Sequence, residues 1–229
     1  MPANVIYMKF LISLLAFLII SASATGQTGK DIFYNEVTFF LNEKGENISR
    51  AEFEIILKNN PSKFPRWDHI ENDSIHVARI IPKEIFINVS YPEIYKALEK
   101  ITQTSFPGNP VIIIHYNFYN DLCSPASRFN KWDTLRIRRN KRFSDNLARR
   151  IENEFPNVVS LHFFELGIII EPSQILKQFF YTDHSGFFRN TLFKIPSSCG
   201  SLAIIMPGGS VMIFNGETPI PEIADSFQE

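Results

Sequence analysis

The chain holds two cysteines, Cys123 and Cys199, and no other thiol. A cysteine does chemistry as a thiolate, which a helix N-terminus or an adjacent cation favours, whereas an even pair in an oxidising compartment is more often joined as a staple. From residue type and number alone both readings stand: Cys123 as a single nucleophile, or Cys123 and Cys199 as a disulfide. A zinc site needs four ligands. With two cysteines and no Cys-x-x-Cys or His-x-x-x-His spacing, no metal and no cofactor is expected.

The remaining groups with chemical capacity are scattered. His115 and His162 lie inside apolar runs on two strands expected to be neighbours. There they either share a metal or a proton, or sit as hydrogen-bonded core imidazoles, the commoner outcome. Asp183 and His184 could serve Cys123 as orienter and base only if the fold gathers all three. Lys131, Arg136, Arg138, Arg139, Lys141, Arg142, Arg149 and Arg150 concentrate positive charge on one segment. That segment reads as a solvated helix face or as a surface for an anionic partner. Sequons at Asn47, Asn72 and Asn88 matter only in a host that glycosylates.

The elements that must position these residues follow an export signal. Residues 10–20 form an apolar core preceded by Lys9 and followed by Ser21-Ala22-Ser23-Ala24, the order of a secretory signal with cleavage between Ala24 and Thr25. Met8-Lys9 makes a better charged start than residues 1–7. The apolar run is shorter than the roughly 20 residues a membrane span requires, so no stable anchor is expected after cleavage. No cysteine stands at the cleavage point to carry a lipid. An exported, periplasmic or secreted protein is therefore expected. Its net charge of −1 gives no overall attraction to nucleic acid, which is not expected as a partner. Hydrophobic residues at 45%, with 22 Phe, supply ample core for the roughly 200 residues that remain.

Residues 31–41 read as a strand. Ser49-Arg50-Ala51-Glu52 is a capping box that starts a helix over 50–58, which ends before Asn60-Pro61. Residues 75–81 and 84–89 are strand-like, and Ser90-Tyr91-Pro92-Glu93 opens a second helix through Ile94, Leu98 and Ile101. Dense turn residues at 106–110 mark a boundary. Beyond it, residues 111–116 are a continuous apolar run, the pattern of a strand buried on both faces. Phe143, Leu147, Ile151 and Phe155 recur as a helix stripe, and residues 158–164 form a second apolar run. Together these make a parallel βαβ unit. A short helix is expected after Pro172, with Ile175, Leu176, Phe179 and Phe180 on one side. Residues 202–206 and 211–214 flank Pro207-Gly208-Gly209 as an antiparallel hairpin.

This β-α-β-α-β-β order, with Cys123 after the first buried strand and a Pro-Gly-Gly hairpin near the end, resembles the thioredoxin-like superfamily in its exported bacterial form. The resemblance covers residues 106–229. It implies an α/β fold with a central mixed sheet flanked by helices, preceded here by a small α+β segment over 25–105. It also implies a Cys-x-x-Cys motif at a helix N-terminus, where the dipole lowers the first thiol's pKa, and a cis-proline before the third strand. Cys123-Ser124-Pro125-Ala126 stands at the motif with Ala126 in place of the resolving cysteine, and Pro196 is nearest the proline position. In such a fold Cys199 faces the motif, so a Cys123–Cys199 bridge is expected. The resemblance thus implies a non-catalytic binding or envelope-structure module with a protein partner in the cell envelope. The alternative is a single-cysteine thiol-disulfide oxidoreductase or peroxidase using Cys123.

Overall fold

A computed structural model describes residues 37–60, 63–71, 75–123, 130–153, 155, 157–171 and 179–216. The chain divides into Met1–Glu36 and Val37–Glu229. The first unit lies wholly outside the described residues, and with it the export segment and the Ala24–Thr25 cleavage site.

The second unit opens with β1 (Val37–Leu41), β2 (Asn47–Ile48), α1 (Arg50–Asn59), β3 (Arg66–Glu71) and β4 (Ile75–Ile80). The capping box at the start of α1 is formed as expected. Ser49 Oγ accepts from the Glu52 amide at 3.2 Å, and the Glu52 carboxylate accepts from the Ser49 amide at 2.9 Å. The four strands make a mixed sheet in the order β2-β1-β4-β3, with β1 parallel to β4. Phe53 of α1 closes its core against Ala78 and Ile80.

Next come β5 (Glu84–Asn88), α2 (Tyr91–Thr102), β6 (Val111–Asn117), β7 (Lys131–Trp132), α3 (Thr134–Glu152) and β8 (Val158–Glu165). They are followed by β9 (Ile169–Ile170), β10 (Phe180–Asp183), α4 (Phe187–Thr191), β11 (Ser201–Ile205) and β12 (Ser210–Asn215). Six strands form the larger sheet, in the order β10-β8-β6-β11-β12-β5. β6 is parallel to β8, as a βαβ crossover through α3 demands, while β11 runs antiparallel to both β6 and β12. All seven residues of β6 are buried, because helices cover both faces of the sheet. Ile112, Ile114 and Tyr116 pack with Ile94 and Leu98 of α2 and Phe188 of α4, whereas Val111 and Ile113 pack with Leu147 and Ile151 of α3. The fold is thus a mixed α/β architecture with a central sheet flanked by helices.

Several expectations shift in detail. β5 and α2, which precede the boundary read at 106–110, belong to the larger sheet: β5 pairs with β12, and α2 supplies part of its core. Residues 172–178, expected to be helical, lie outside the described residues, but Phe180 starts a strand parallel to β8. Phe143 is 38% exposed, and the buried positions of α3 are Ile137, Ser144, Leu147 and Ile151. The buried positions span the arc from Leu147 to Ile137, and Phe143 falls about 40° beyond its Leu147 edge, at the boundary with solvent.

The β11–β12 turn depends on one of its two glycines. Gly209 has φ +87°, and a Cβ there would stand 2.4 Å from the Val89 carbonyl oxygen, whereas a Cβ on Gly208 would meet open space. Gly209→Ala is expected to cost about 2 kcal/mol or more in urea unfolding, with Gly208→Ala neutral or slightly stabilising. Equal effects of the two substitutions would contradict this account of the turn.

Candidate functional site

The two cysteines meet beyond the C-terminal end of β6, on loops fixed by different parts of the fold. Asn120-Asp121-Leu122-Cys123 runs on from β6. Tyr119 donates its amide to Glu165 Oε2 at 2.8 Å, Asn120 donates its backbone amide to Asn130 Oδ1 at 2.7 Å, and Asn130 Nδ2 donates to Asn120 Oδ1 at 2.6 Å. The same loop is tied to the small sheet, since Leu122 N–H donates to the Asp68 carbonyl at 3.1 Å and Asp121 forms an antiparallel bridge with His69 of β3.

The second loop, Ser197 to Ser201, rests on a buried polar chain. Ser197 Oγ and Ser201 Oγ lie 2.8 Å apart, Ser201 Oγ donates to Asn215 Oδ1 at 2.7 Å, and Asn215 Nδ2 donates to the Pro82 carbonyl at 2.8 Å. Cys199 itself adopts φ +68°, a left-handed conformation costly to a residue with a Cβ. Gly200 follows at φ +88°, where a Cβ would stand 2.5 Å from the Tyr116 carbonyl oxygen. This close approach sets the last turn of chain before β11.

Cys123 and Cys199 are joined as a disulfide with Cα atoms 4.8 Å apart, and no described cysteine is free. A single carboxyl group serves both halves. Asp121 Oδ1 accepts from the Cys123 amide at 3.1 Å, an Asx-type turn two residues long, and Oδ2 accepts from the Cys199 amide at 2.8 Å. Burial pushes Asp121 up to about 7, against the opposing pull of the Cys199 and Cys123 amides, the Arg136 charge and the Gly200 amide. Arg136 stacks on Trp132, its guanidinium carbon 4.0 Å from the ring centre. Asp121 was not singled out in the sequence, and Arg136 only as part of the basic segment, although an aspartate two residues before Cys123 is the signature of such a turn.

The surroundings depart from the helix-activated thiol that the resemblance implies. The crossover helix α3 does not start at Cys123. Its N-cap is Asp133, whose carboxylate accepts from the Arg136 amide at 2.8 Å, so the positive end of this helix is satisfied there. Ser124, Pro125 and Ala126 lie outside the described residues. Pro196 is not a cis-proline, since the described residues contain no cis peptide bond.

Two other sequence candidates find structural roles. His115 and His162 are register partners on β6 and β8, with nearly parallel rings 5.6 Å apart. Stacked rings aim their nitrogens outward in their own planes rather than at a common point, and the described residues contain no metal-ligand cluster of three or more. His162 Nε2 meets Asn117 Oδ1. Burial lowers His115 to about 4, and burial with the neighbouring His115 and Arg136 charges holds His162 well below its ordinary range, so both rings are neutral at pH 7. Asp183 does not orient His184 toward Cys123. Its carboxylate accepts from the Phe187 amide at 2.9 Å and the Arg189 amide at 3.0 Å, starting α4, while His184 is exposed.

No family model matches the chain, and no curated protein matches it. Among solved structures it is similar to an exposed lipoprotein thioredoxin of Streptococcus pneumoniae, with 12% identity, a TM-score of 0.34, and coverage of 71% of this chain and 98% of that one.

Removing either cysteine breaks the same bond. The 76-residue separation gives a chain-entropy contribution of about 4 to 5 kcal/mol as an upper figure. Cys123→Ser and the double variant with Cys199→Ser are therefore expected to lose similar stability in guanidinium unfolding. Cys199→Gly should retain about 1 kcal/mol over Cys199→Ser, because glycine relieves the left-handed backbone. Additive losses from the two serines would mean that they do not share one bond.

Proposed function

We propose that the chain is an exported thioredoxin-like protein that acts as a non-catalytic binding or envelope-structure module. The observation that carries this reading is the Cys123–Cys199 bridge, both of whose amides donate to the buried Asp121 carboxyl. Thiol-disulfide exchange by the family's route needs a thiolate and a second cysteine to release the mixed disulfide. Here Cys123 is already bonded to Cys199, and Ala126 stands where the resolving cysteine would be. After reduction, an ionised Asp121 would oppose ionisation of the neighbouring thiols, the reverse of the cationic setting that activates a nucleophile.

The β-α-β order and the antiparallel β11–β12 hairpin support the thioredoxin-like part of the reading. The apolar segment at residues 10–20 and the small residues before Thr25 support export to a periplasmic or extracellular location, with a protein partner in the envelope. No described helix is long and apolar enough to cross a membrane.

An insulin-reduction assay with dithiothreitol tests the proposal. The expected result is no turbidity rate above dithiothreitol alone, with any gain confined to the Ala126→Cys variant. Robust turnover by the unaltered chain, abolished in Cys123→Ser, would overturn it, and its survival in Cys199→Ser would favour a single-cysteine oxidoreductase.

A further inference from the structure

The outer face of α3 is rich in positive charge, and its exposed arginines form no ion pair among the described residues. This helix carries seven basic and two acidic side chains in a chain whose net charge is −1. The basic residues divide by position. Arg136 lies over Trp132, and Lys141 pairs with Asp145 and lies over Phe179, so both are engaged along the helix flank. Arg138, Arg139, Arg142, Arg149 and Arg150 are exposed. None of these five forms an ion pair among the described residues, and Arg149 bonds only to Asn146 and the Asp145 carbonyl of its own helix.

At about 100° per residue, Arg138, Arg142 and Arg149 fall within roughly 40° of one another. Those three face away from the buried stripe of Leu147 and Ile151, and Arg139 and Arg150 lie about 80 to 100° to one side of them. From Arg138 to Arg150 the result is a cationic stripe about 18 Å long, at about 1.5 Å of rise per residue. Repulsion among these cations is unfavourable at low salt, and an anionic surface of matching extent removes it.

Two further observations select the kind of surface. Every cation of the stripe is arginine, whose planar fork binds phosphate oxygens in pairs. Large apolar side chains are also exposed on the same helix: Leu135, 59% exposed in the first turn, and Phe143, 38% exposed at the edge of the stripe. Phosphates beside apolar material are what a bilayer interface offers, where Leu135 and Phe143 can enter the acyl boundary next to the arginines. We propose that this face of α3 docks peripherally on an anionic phospholipid surface, its arginines on the headgroup phosphates. The proposal stands on α3 alone and does not depend on the redox state of Cys123.

Co-sedimentation of the full chain with phosphatidylglycerol and with phosphatidylcholine vesicles tests it. The ratio of the two cancels whatever the apolar segment near the N-terminus contributes to both. At low salt the anionic vesicles should pellet about tenfold more protein, with the difference collapsing near 0.5 M salt as the charges are screened. Combining Arg138→Glu, Arg142→Glu and Arg149→Glu should abolish the difference. Lys58→Glu, Lys96→Glu and Lys100→Glu together impose the same charge change from exposed positions on α1 and α2, and should keep most of it. Far-UV circular dichroism confirms folding, and the corresponding arginine-to-glutamine triple replaces any variant that unfolds.

Equal pelleting with both vesicle types would overturn the proposal, as would equal losses in the two charge-reversal triples. Tighter, more salt-resistant binding to a DNA duplex than to the anionic vesicles would also overturn it and assign the stripe to nucleic acid.

Discussion

One buried carboxyl group holds together the parts of this fold that chemistry could use. Asp121 accepts the amides of both Cys123 and Cys199, and its own backbone bridges to His69 of the small sheet. The disulfide therefore closes a junction already drawn together by hydrogen bonds from three sides: the end of β6, the edge of β3 and the loop before β11. A carboxyl group with no such donors would be costly at this depth. The donors make the burial tolerable, and in turn the carboxyl fixes two loops that would otherwise expose unpaired amides.

That arrangement explains why the neighbouring polar groups look structural. Cys199 keeps a left-handed backbone because its amide is held by Asp121 and its side chain by Cys123, so the strain is borne by contacts on both sides. Ser197, Ser201 and Asn215 pass hydrogen bonds from this loop to the Pro82 carbonyl, between β4 and β5. The His115–His162 pair lies on the α3 side of the same sheet. Its burial keeps both rings neutral, so it packs as stacked aromatic surface against Phe143, Trp132 and Phe164 rather than as a charged site.

Where a sequence signal is local, it was legible. The capping box at Ser49 closes within three residues, the unbroken apolar run of β6 is contained in seven, and the turn after β11 is marked by its adjacent glycines, so each is written in a short stretch of sequence. β3 was missed because its alternation is short and His69, one of its two buried positions beside Trp67, is polar by type and gives no apolar signal. β10 was missed because Phe179 and Phe180 suit a helix stripe as well as a strand, and pairing with β8 decides between them. The site was half legible. The two cysteines announce a bridge, but the shared acceptor joins residues 78 positions apart, and only the tertiary fold shows that Asp121 reaches Cys199.

The central claim is that Cys123 and Cys199 are bonded to each other in the exported protein. Alkylation under denaturing conditions, before and after reduction, followed by intact mass measurement tests it most directly. The account predicts no adduct without reductant and two after it. Two adducts without reductant would show free thiols and contradict the bridge on which the site is built.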